Sequence, residues 1–272
     1  MLKPKKSLGQ NFLKDKNLCI KIVDSINYEL NDTVIEIGPG TGALTEYLIQ
    51  HDINLKLIEI DERAITFLNH KYSDFNNYEI VPQSILDLDF NLYRSLSNRK
   101  LKVIGNIPYY ISGRIFYSLF ENSEVISEAV LTVQKEVAER IVSSENRKEY
   151  GILSVAAWVA GSAHKLFDIP PQAFYPQPKV TSSVVKLVFN PKIKASEFNP
   201  FMGFVKAAFN QRRKMISNSL KPYFVLNLKN SPDFIEHSDI WNNSKNLRPE
   251  QISPEQFLNL FKEITRHNEK QD

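Results

Sequence analysis

The sequence contains only one cysteine, Cys19, in 272 residues. A single thiol excludes an internal disulfide and argues against a thiolate metal cluster, so a reducing compartment is the default expectation. Cys19 lies in an amphipathic pattern, which predicts a buried position in a helix. The histidines at positions 51, 70, 164, 237 and 267 show no ligand spacing, and we therefore expect no bound metal.

Long apolar runs and a large charge of one sign are also missing. No stretch is long enough to span a membrane, and the basic N-terminus lacks the apolar segment of a signal peptide. We therefore expect a cytoplasmic protein without a membrane partner. The 34 basic and 31 acidic side chains leave a formal net charge of +3, which does not indicate nucleic-acid binding without a local basic cluster. No interface pattern stands out, and a monomer is the default.

The residues that are present suffice for a folded core, because hydrophobic residues make up 42% of the chain and aromatic residues 11%. Strand-like and helix-like segments alternate over 33–133, which predicts an α/β fold with a mostly parallel sheet covered by helices. The predicted strands are 33–37, 54–60, 78–81, 101–105 and 129–133. Helices are predicted at 42–50, 62–70, about 91–98 and 113–121, and Asp61 is the expected N-cap of the second.

The pattern changes after Pro170-Pro171. A proline-rich loop leads to a predicted strand at 181–190, and from about Pro200 the pattern is helical throughout. We place the domain boundary between residues 1–192 and residues 193–272, so that a small all-helical domain follows the α/β domain.

Three glycines follow the first predicted strand, namely Gly38, Gly40 and Gly42. Glycine permits a tight turn and a close approach of the backbone to a ligand, and the next helix offers free N–H groups near the turn. The spacing is G-x-G-x-G, whereas a dinucleotide site prefers G-x-G-x-x-G. The pattern predicts a nucleotide-cofactor site, with a purely structural turn as the alternative.

Residues at the ends of the next strands extend this site. Glu59 follows Gly40 by 19 residues (59 − 40), and a carboxylate there can accept hydrogen bonds from both ribose hydroxyls of an adenosine. Ser84 and the apolar residues Ile60 and Ile85 are expected to contact the adenine ring. All of them lie on one rim, because the carboxyl ends of parallel strands meet at one edge of a sheet.

The segment Asn106-Ile107-Pro108-Tyr109 follows the fourth predicted strand. The Asn106 side-chain oxygen and the Pro108 carbonyl would accept the two N–H bonds of an exocyclic adenine amine and so direct its lone pair toward an electrophilic methyl group. Tyr109 would stack on one face of the ring and Phe174 on the other, around a base that is unpaired or flipped out. We predict methyl transfer to a base nitrogen; a plain strand-ending turn is the alternative.

A basic surface is predicted further along the chain, where 204–221 is expected to form one helix. Its basic and polar residues recur at helical spacing and would share one face, consisting of Lys206, Asn210, Arg213, Lys214, Ser217 and Lys221. With the adjacent Arg212, these cations are expected to bind RNA phosphates. A second cluster near the cofactor rim consists of Lys3, Lys5, Lys6, Lys14 and Lys16. A charged helix face can equally be a solvated surface.

Several motifs in order resemble those of the ribosomal RNA adenine dimethyltransferase family, in its small-subunit (16S) branch. They are LGQNFL (8–13), EIGPGTGALT (36–45), GNIPYYIS (105–112), QKEVAERI (134–141), FYPQPKV (174–180), FNQRRKMISNSL (209–220) and RPEQIS (248–253). The resemblance covers nearly the whole chain. It implies a Rossmann-like methyltransferase domain at 1–192 and a helical RNA-binding domain at 193–272. It also implies S-adenosylmethionine as methyl donor and S-adenosylhomocysteine as product.

The resemblance also implies a substrate and a set of donor contacts. The substrate would be 16S rRNA in an assembling small ribosomal subunit, methylated twice at N6 on each of two adjacent adenines in the 3′-terminal hairpin loop. Carried over by motif, the donor contacts would be Asn11, Leu13, Gly38, Glu59, Ser84 and Asn106. The family usually has aspartate at the position of Ser84. Serine accepts a hydrogen bond without charge assistance, so we expect weaker donor binding with activity retained.

Three other functions compete with this reading. A methyltransferase of the antibiotic-resistance type would act on one adenine of large-subunit (23S) rRNA, but the motifs at 134–141, 174–180 and 209–214 resemble the small-subunit enzymes. A non-catalytic assembly or RNA-binding factor would not need Glu59, Asn106 and the glycines. A nicotinamide dehydrogenase would need G-x-G-x-x-G and a polar hydride-transfer site, and neither is evident.

Overall fold

The computed structural model of the protein describes residues 2–5, 8–94, 99–228, 234 and 237–269. The chain forms two compact units. The first, here called the sheet unit, comprises Met1–Ala138 and Gly161–Asn190, and the second, the helical unit, comprises Glu139–Ala160 and Pro191–Asp272. The break at 190/191 lies close to the expected domain boundary at 192/193. Residues 139–160, however, belong to the helical unit, whereas the expected boundary places them in the first domain.

A seven-stranded sheet organises the sheet unit, in the order β4-β3-β2-β5-β6-β9-β7. Its strands are β2 (Thr33–Ile37), β3 (Asn54–Ile58), β4 (Tyr78–Val81), β5 (Leu101–Asn106), β6 (Ile126–Gln134), β7 (Gly161–Ile169) and β9 (Ser182–Phe189). The first five strands in this order are parallel, and β9 and β7 add antiparallel pairs. The two short strands β1 (Phe12–Leu13) and β8 (Phe174–Tyr175) pair antiparallel. The prediction of a mostly parallel sheet is confirmed.

The helices of the sheet unit lie before or between its parallel strands. They are α1 (Lys16–Val23), α2 (Thr45–Leu48), α3 (Glu62–Lys71) and α4 (Ser112–Glu121), and α5 (Lys135–Ile141) follows β6. Asp61 caps α3 by accepting a hydrogen bond from the backbone N–H of Arg63, as predicted. The helix predicted at 42–50 is shorter than expected, because a turn precedes the four residues of α2. The helix predicted at about 91–98 is a short 3₁₀ helix at Phe90–Tyr93, and 95–98 lie outside the described residues.

The helical unit has a core of aromatic rings. Its described helices are α6 (Ile152–Ala160), α7 (Ala195–Phe209), α8 (Ile216–Ser219), α9 (Lys221–Asn227), α10 (Asp239–Ser244) and α11 (Pro254–Glu269). Phe204 of α7 packs against Phe257 and Phe261 of α11, with ring centroids 6.2 and 6.0 Å away. Tyr150, just before α6, donates a 2.8 Å hydrogen bond to the carbonyl of Ile252. Residues 139–160 therefore share the hydrophobic core of the later helices.

The prediction of one continuous helix at 204–221 is wrong. Helix α7 ends at Phe209, a turn follows, and Ile216–Ser219 begins a new short helix. The backbone N–H groups of Ile216 and Ser217 bond to the carbonyls of Leu247 and Lys245, at 2.8 and 3.1 Å. These bonds to a distant segment hold the chain out of the helical path, and the basic residues therefore do not share one helix face.

Within the described part of the chain, no helix is long and apolar enough to cross a bilayer. Among the same residues, no group of three or more His, Cys, Asp or Glu side chains could hold a metal ion.

Candidate cofactor and base-binding site

A cleft lies at the carboxyl ends of the parallel strands of the sheet unit. It contains about 760 Å³ of space between protein atoms, part of it open to solvent. The predicted residues that line it are Asn11, Gly38, Gly40, Glu59, Ile60, Ser84, Ile85, Asn106, Pro108 and Tyr109. The structure thus gathers residues from five segments that are distant in sequence.

The cleft lies where the strand order reverses. Strand β2 pairs with β3 on one side and with β5 on the other, and ligands of open α/β sheets bind at such a switch point. The backbones approach closely there, because a Cβ atom placed on Gly105 would lie 2.7 Å from the carbonyl oxygen of Ile37. Glycine at the end of β5 therefore allows Asn106 to follow the strand directly at the rim.

The turn after β2 requires glycine for two different reasons. Gly38 and Gly40 have φ angles of +63° and +56°, a region that L side chains rarely adopt. A Cβ on Gly40 would lie 2.8 Å from the ring of Phe12, whereas a Cβ on Gly38 would meet no atom within 4 Å. Gly40 thus allows the N-terminal segment to pack on the turn, and Gly38 leaves open space beside the cleft.

Glu59 is buried at the end of β3 and is held by three backbone N–H groups. Gly40 donates to Oε2 at 3.1 Å, and Ile60 and Asp61 donate to Oε1 at 2.8 and 2.9 Å. Burial raises the pKa of Glu59, and these N–H bonds oppose the rise. The carboxylate is fixed in orientation and retains lone pairs for hydroxyl donors from a ligand.

The wall after β4 is mostly apolar. Ile60 is half exposed, and Ile85 is buried beside it in the cleft wall. The Ser84 hydroxyl accepts a 3.1 Å hydrogen bond from the backbone N–H of Leu86. Ser84 therefore stabilises its own short 3₁₀ helix, and its O–H remains able to act as a donor or acceptor toward a ligand.

The Asn106 amide has a defined orientation. Its Nδ2 donates a 2.8 Å hydrogen bond to the backbone carbonyl of Asn11. Among the described residues, none donates to its Oδ1, which is the acceptor that the sequence analysis assigned to an amine. The contact also explains a role for Asn11, because its carbonyl selects which end of the Asn106 amide acts as donor.

Pro108 and Tyr109 continue the same rim. The Pro108 carbonyl accepts a 3.3 Å bond from the N–H of Ile111 and has a second lone pair. The Tyr109 hydroxyl lies 2.6 Å from the Ser182 hydroxyl, and burial raises the pKa of Tyr109. The phenol is therefore neutral at physiological pH, and its ring is held at the cleft by a contact with β9.

Leu13 and Phe174 are not brought into this cleft. They face each other in the β1–β8 pair and belong to the hydrophobic core, with Phe174 only 1% exposed. Leu13 instead lines a small neighbouring cavity together with Asn106. Stacking of Phe174 on a base and donor contact by Leu13 stay predictions.

A polar cluster that the sequence analysis missed connects the N-terminal segment to the cleft. Gln10 lines the cleft and donates a 3.1 Å bond to Asp61 Oδ2. Arg63 donates to both Asp61 oxygens, at 2.9 and 2.6 Å, and to the carbonyl of Lys3. The Arg63 bonds hold the pKa of Asp61 low, at about 2. The only sequence signal was Asp61 as a helix cap, which did not indicate this second role.

Glu36 is a buried carboxyl directly behind the glycine turn. It accepts a 2.7 Å hydrogen bond from the Thr45 hydroxyl, and the pair connects β2 to α2. Burial raises the pKa of Glu36 to about 8, so the folded protein favours the neutral carboxyl at neutral pH. Glu36 thus supports the turn from below.

The predicted RNA-binding cations differ in their surroundings. Lys206 lies in α7, Arg213 and Lys214 lie in the turn after it, and Lys221 begins α9. Arg212 forms hydrogen bonds within the helical unit, because it donates to Glu250 Oε2 at 2.8 Å and to the Lys148 carbonyl at 2.6 Å. The exposed Arg213 and Lys214 form no such contact with a described residue.

The sheet order, the glycine turn with a carboxylate after the next strand, and the amide at the end of β5 together define a Rossmann-like methyltransferase. The comparisons with known proteins identify the branch of that class. The chain belongs to the ribosomal RNA adenine dimethylase family, whose model matches residues 1–266.

Similar proteins agree with this membership. The chain is 40% identical over 259 residues to ribosomal RNA small subunit methyltransferase A of Francisella tularensis subsp. novicida, covering 95% of this chain and 96% of that one. The protein of the same name in Mycoplasma mycoides is 36% identical over 263 residues, covering 96% and 97%. A dimethyladenosine transferase from Plasmodium falciparum has a TM-score of 0.79 at 25% identity, over 94% and 98%. The 23S rRNA methyltransferase ErmE shares the fold, with a TM-score of 0.68 at 24% identity over 94% and 100%.

Proposed function

We propose that the protein transfers methyl groups from S-adenosylmethionine to N6 of two adjacent adenosines in the 3′-terminal hairpin loop of 16S rRNA, producing N6,N6-dimethyladenosine. The observation that carries the proposal is the Asn106 amide, whose nitrogen donates a hydrogen bond to the Asn11 carbonyl while its oxygen stays available at the rim of the cofactor cleft. Membership of the ribosomal RNA adenine dimethylase family supports the substrate.

The residues of the cleft fit the donor. Glu59 offers a fixed carboxylate to the ribose hydroxyls, Ile60 and Ile85 offer apolar surface to the adenine, and Gly38 leaves open space along the turn. Ser84 can accept from the adenine amino group. When bound, the donor supplies an electrophilic methyl on a positively charged sulfur, and S-adenosylhomocysteine is the product.

The protein's own contribution to the chemistry is alignment. An adenine amine is a poor nucleophile because its lone pair is delocalised into the ring. In the first transfer, acceptance of its two N–H bonds by Asn106 Oδ1 and the Pro108 carbonyl withdraws that lone pair from conjugation and directs it toward the electrophilic methyl, and Tyr109 holds the ring face. In the second transfer the monomethylated amine has one N–H left to donate to these acceptors. No strong base is needed, since the amine loses its proton after transfer. Such alignment can contribute roughly 7–11 kcal/mol in favourable cases.

We assign donor binding and catalysis to a methyltransferase domain at 1–192 and rRNA binding to a helical domain at 193–272. The cations proposed to bind rRNA are Lys206, Arg213, Lys214 and Lys221. Arg212, predicted together with them, instead donates to Glu250 and to the Lys148 carbonyl. The partner is 16S rRNA in an assembling small ribosomal subunit, which implies a cytoplasmic location, and the protein acts as a monomer.

Two alternatives receive less support. A 23S rRNA methyltransferase of the resistance type shares the fold, but the similarity to ErmE is only 24% identity, against 40% to a small-subunit methyltransferase A. A non-catalytic assembly factor would have no use for a carboxylate and an amide held in orientation at a cleft.

The test uses radiolabelled S-adenosylmethionine with unmethylated small ribosomal subunits, and large subunits in parallel. The expected product is N6,N6-dimethyladenine at adjacent positions near the 3′ end of small-subunit rRNA. Label confined to large-subunit rRNA would replace this proposal by the resistance-type activity. RNA binding without any label would replace it by an assembly role.

A further inference from the structure

The sheet unit has a second cleft, which contains about 1190 Å³ of space between protein atoms, part of it open to solvent, and which shares Phe12 with the cofactor cleft. We call it the outer cleft. Its apolar lining comes from the N-terminal segment, α1, the turn before α2, α3 and β8, and includes Leu2, Phe12, Ala43, Tyr47, Phe67 and Tyr175. Of the residues predicted to contact the donor, Leu13 lines this cleft as well, whereas Asn106, Pro108 and Tyr109, proposed to hold the amine, do not line it.

Tyr175 gives this cleft an exposed aromatic surface. Its side chain is 58% exposed, although the backbone at this residue is fixed by pairing of β8 with Phe12. A large aromatic ring that is held on a strand and left open to solvent offers a stacking surface at low entropic cost. Such rings bind unpaired bases in a sequence-tolerant way.

The charge at the rim of the outer cleft matches a phosphate. Lys71 is neutralised by Glu46 at 3.0 Å. Lys14 and Lys16 also line the cleft, and within the described chain neither has an ion-pair partner. The intervening Asp15 uses its carboxylate to cap α1 at Leu18. Two uncompensated lysines beside an aromatic surface are the combination that binds a nucleotide, with the base stacked and the phosphate paired.

The outer cleft also connects to the reacting centre. A small cavity shares Phe12, Leu13, Thr41 and Ala43 with the outer cleft, and it shares Phe12 and Gly38 with the cofactor cleft. Asn106 lines this same cavity. One layer of residues therefore separates the outer cleft from the amide proposed to align the target amine. A nucleotide next to the target is covalently linked to it, so it would have to lie close to the amide at Asn106.

Resting on the proposed function, we propose that the outer cleft binds an unpaired nucleotide adjacent to the target adenosine, with its base against Tyr175 and its phosphate at Lys14 and Lys16. Because two neighbouring adenosines are substrates, the cleft holds one while the other is at Asn106. The enzyme would then require an unpaired nucleotide next to the target as well as an unpaired target adenosine.

The first measurement compares Tyr175→Ala with Tyr175→Phe, and Lys14→Ala/Lys16→Ala with the corresponding double arginine variant, on unmethylated small subunits. The alanine variants are expected to raise KM for subunits at least about 5-fold, because each loses either the base–aromatic contact or the pairing with the phosphate. The Phe and Arg variants should remain close to wild type. Affinity for S-adenosylhomocysteine and the melting temperature should not change in any of the four.

The second measurement places a photo-crosslinking amino acid at position 175 and maps crosslinks on the rRNA. Crosslinks are expected at nucleotides next to the methylated adenines, and a crosslinker at the exposed Leu30, which lines neither cleft, should not label these positions. This inference alone would be overturned if the wild-type protein methylates adjacent adenines, the alanine variants keep the wild-type KM, and position 175 crosslinks to other nucleotides. Wild-type protein that leaves small subunits unmethylated would overturn it together with the proposed function.

Discussion

The rim of the cofactor cleft and the segment 209–221 of the helical unit both carry strong sequence motifs, yet their structures follow the sequence to different degrees. At the rim, Gly38 and Glu59 directly follow β2 and β3, and Asn106 is the last residue of β5, so all three lie at strand ends as their local pattern predicts. In 209–221 the pattern predicts a single helix, but backbone bonds from Ile216 and Ser217 to distant carbonyls interrupt it.

The difference lies in what holds each segment. A parallel sheet fixes the ends of its strands by ladder bonds that short apolar runs already encode, so residues that follow a strand are placed with it. A surface helix of moderate propensity has no such frame, and tertiary hydrogen bonds easily override it. Single substitutions in the cleft should therefore change methylation strongly, whereas single substitutions in the basic segment should each change RNA affinity only slightly.

The largest effect is expected for Asn106→Ala. Loss of the amide removes both the acceptor for the amine and the contact with the Asn11 carbonyl, so methylation of small subunits should fall at least about 100-fold. Single-turnover rates and RNA affinity would be measured together, with the exposed Asn91→Ala as control. Near-normal turnover in Asn106→Ala would contradict the proposed alignment, and a parallel loss of RNA affinity would show that the residue acts in binding.

The second largest effect concerns Glu36 and pH. Its pKa is raised from the model-peptide value of 4.5 to about 8, so the unfolded state releases the proton at a lower pH than the folded state. The stability that the protonated form contributes is complete below pH 4.5 and is lost as the pH rises through about 8. Between these limits the free energy of unfolding should fall more steeply for wild type than for Glu36→Gln, by an amount on the order of a few kcal/mol. Melting temperatures measured across this pH range test the difference.

The control for the Glu36 experiment is Glu62→Gln, an exposed residue in the first turn of α3. It should keep the wild-type dependence of melting temperature on pH. Parallel curves for wild type and Glu36→Gln would mean that the buried carboxyl does not hold its proton in the folded protein.

A smaller effect is expected for Ser84→Asp. A charged acceptor forms stronger hydrogen bonds than a hydroxyl, and the gain should tighten donor binding roughly 5-fold, or about 1 kcal/mol. Aspartate can still cap the 3₁₀ helix at Leu86, which Ser84 now caps, so stability should be retained. Calorimetric titration with S-adenosylhomocysteine measures the change. An unchanged dissociation constant would remove Ser84 from the adenine contacts.

The smallest effects separate two neighbouring arginines. Arg213→Ala should weaken RNA binding modestly and reduce the slope of log affinity against log salt by about 1, with an unchanged melting temperature. Arg212→Ala should lower the stability by about 1 kcal/mol or less, because it loses a partly exposed pair with Glu250. If the two variants give the same salt slope and the same melting temperature, the division of roles between these residues is wrong.

Much of the sheet unit could be predicted from the sequence, and less of the helical unit. The strands at 33–37 and 78–81 and the cap at Asp61 agree with the structure because their signals are local. The assignment of 139–160 to the helical core could not be predicted, since it depends on contacts such as that of Tyr150 with the carbonyl of Ile252, 102 residues away. Likewise, Gln10 and Asp61 carry no local sign that they meet across 51 residues.

From the sequence alone one could predict the five parallel strands β2 to β6, the glycine turn and the polar residues at the strand ends, because these depend on hydrophobic periodicity and on the φ angles that only glycine adopts freely. The strand β7 and the β1–β8 pair had no such local signal. The tertiary structure alone decided that Asn11 orients the Asn106 amide, that Phe174 lies in the core, that Arg212 binds within its own unit, and that the outer cleft lies beside the reacting centre. These features arise from contacts between segments far apart in sequence. The local pattern around one residue does not show which distant residue it will meet in the folded chain.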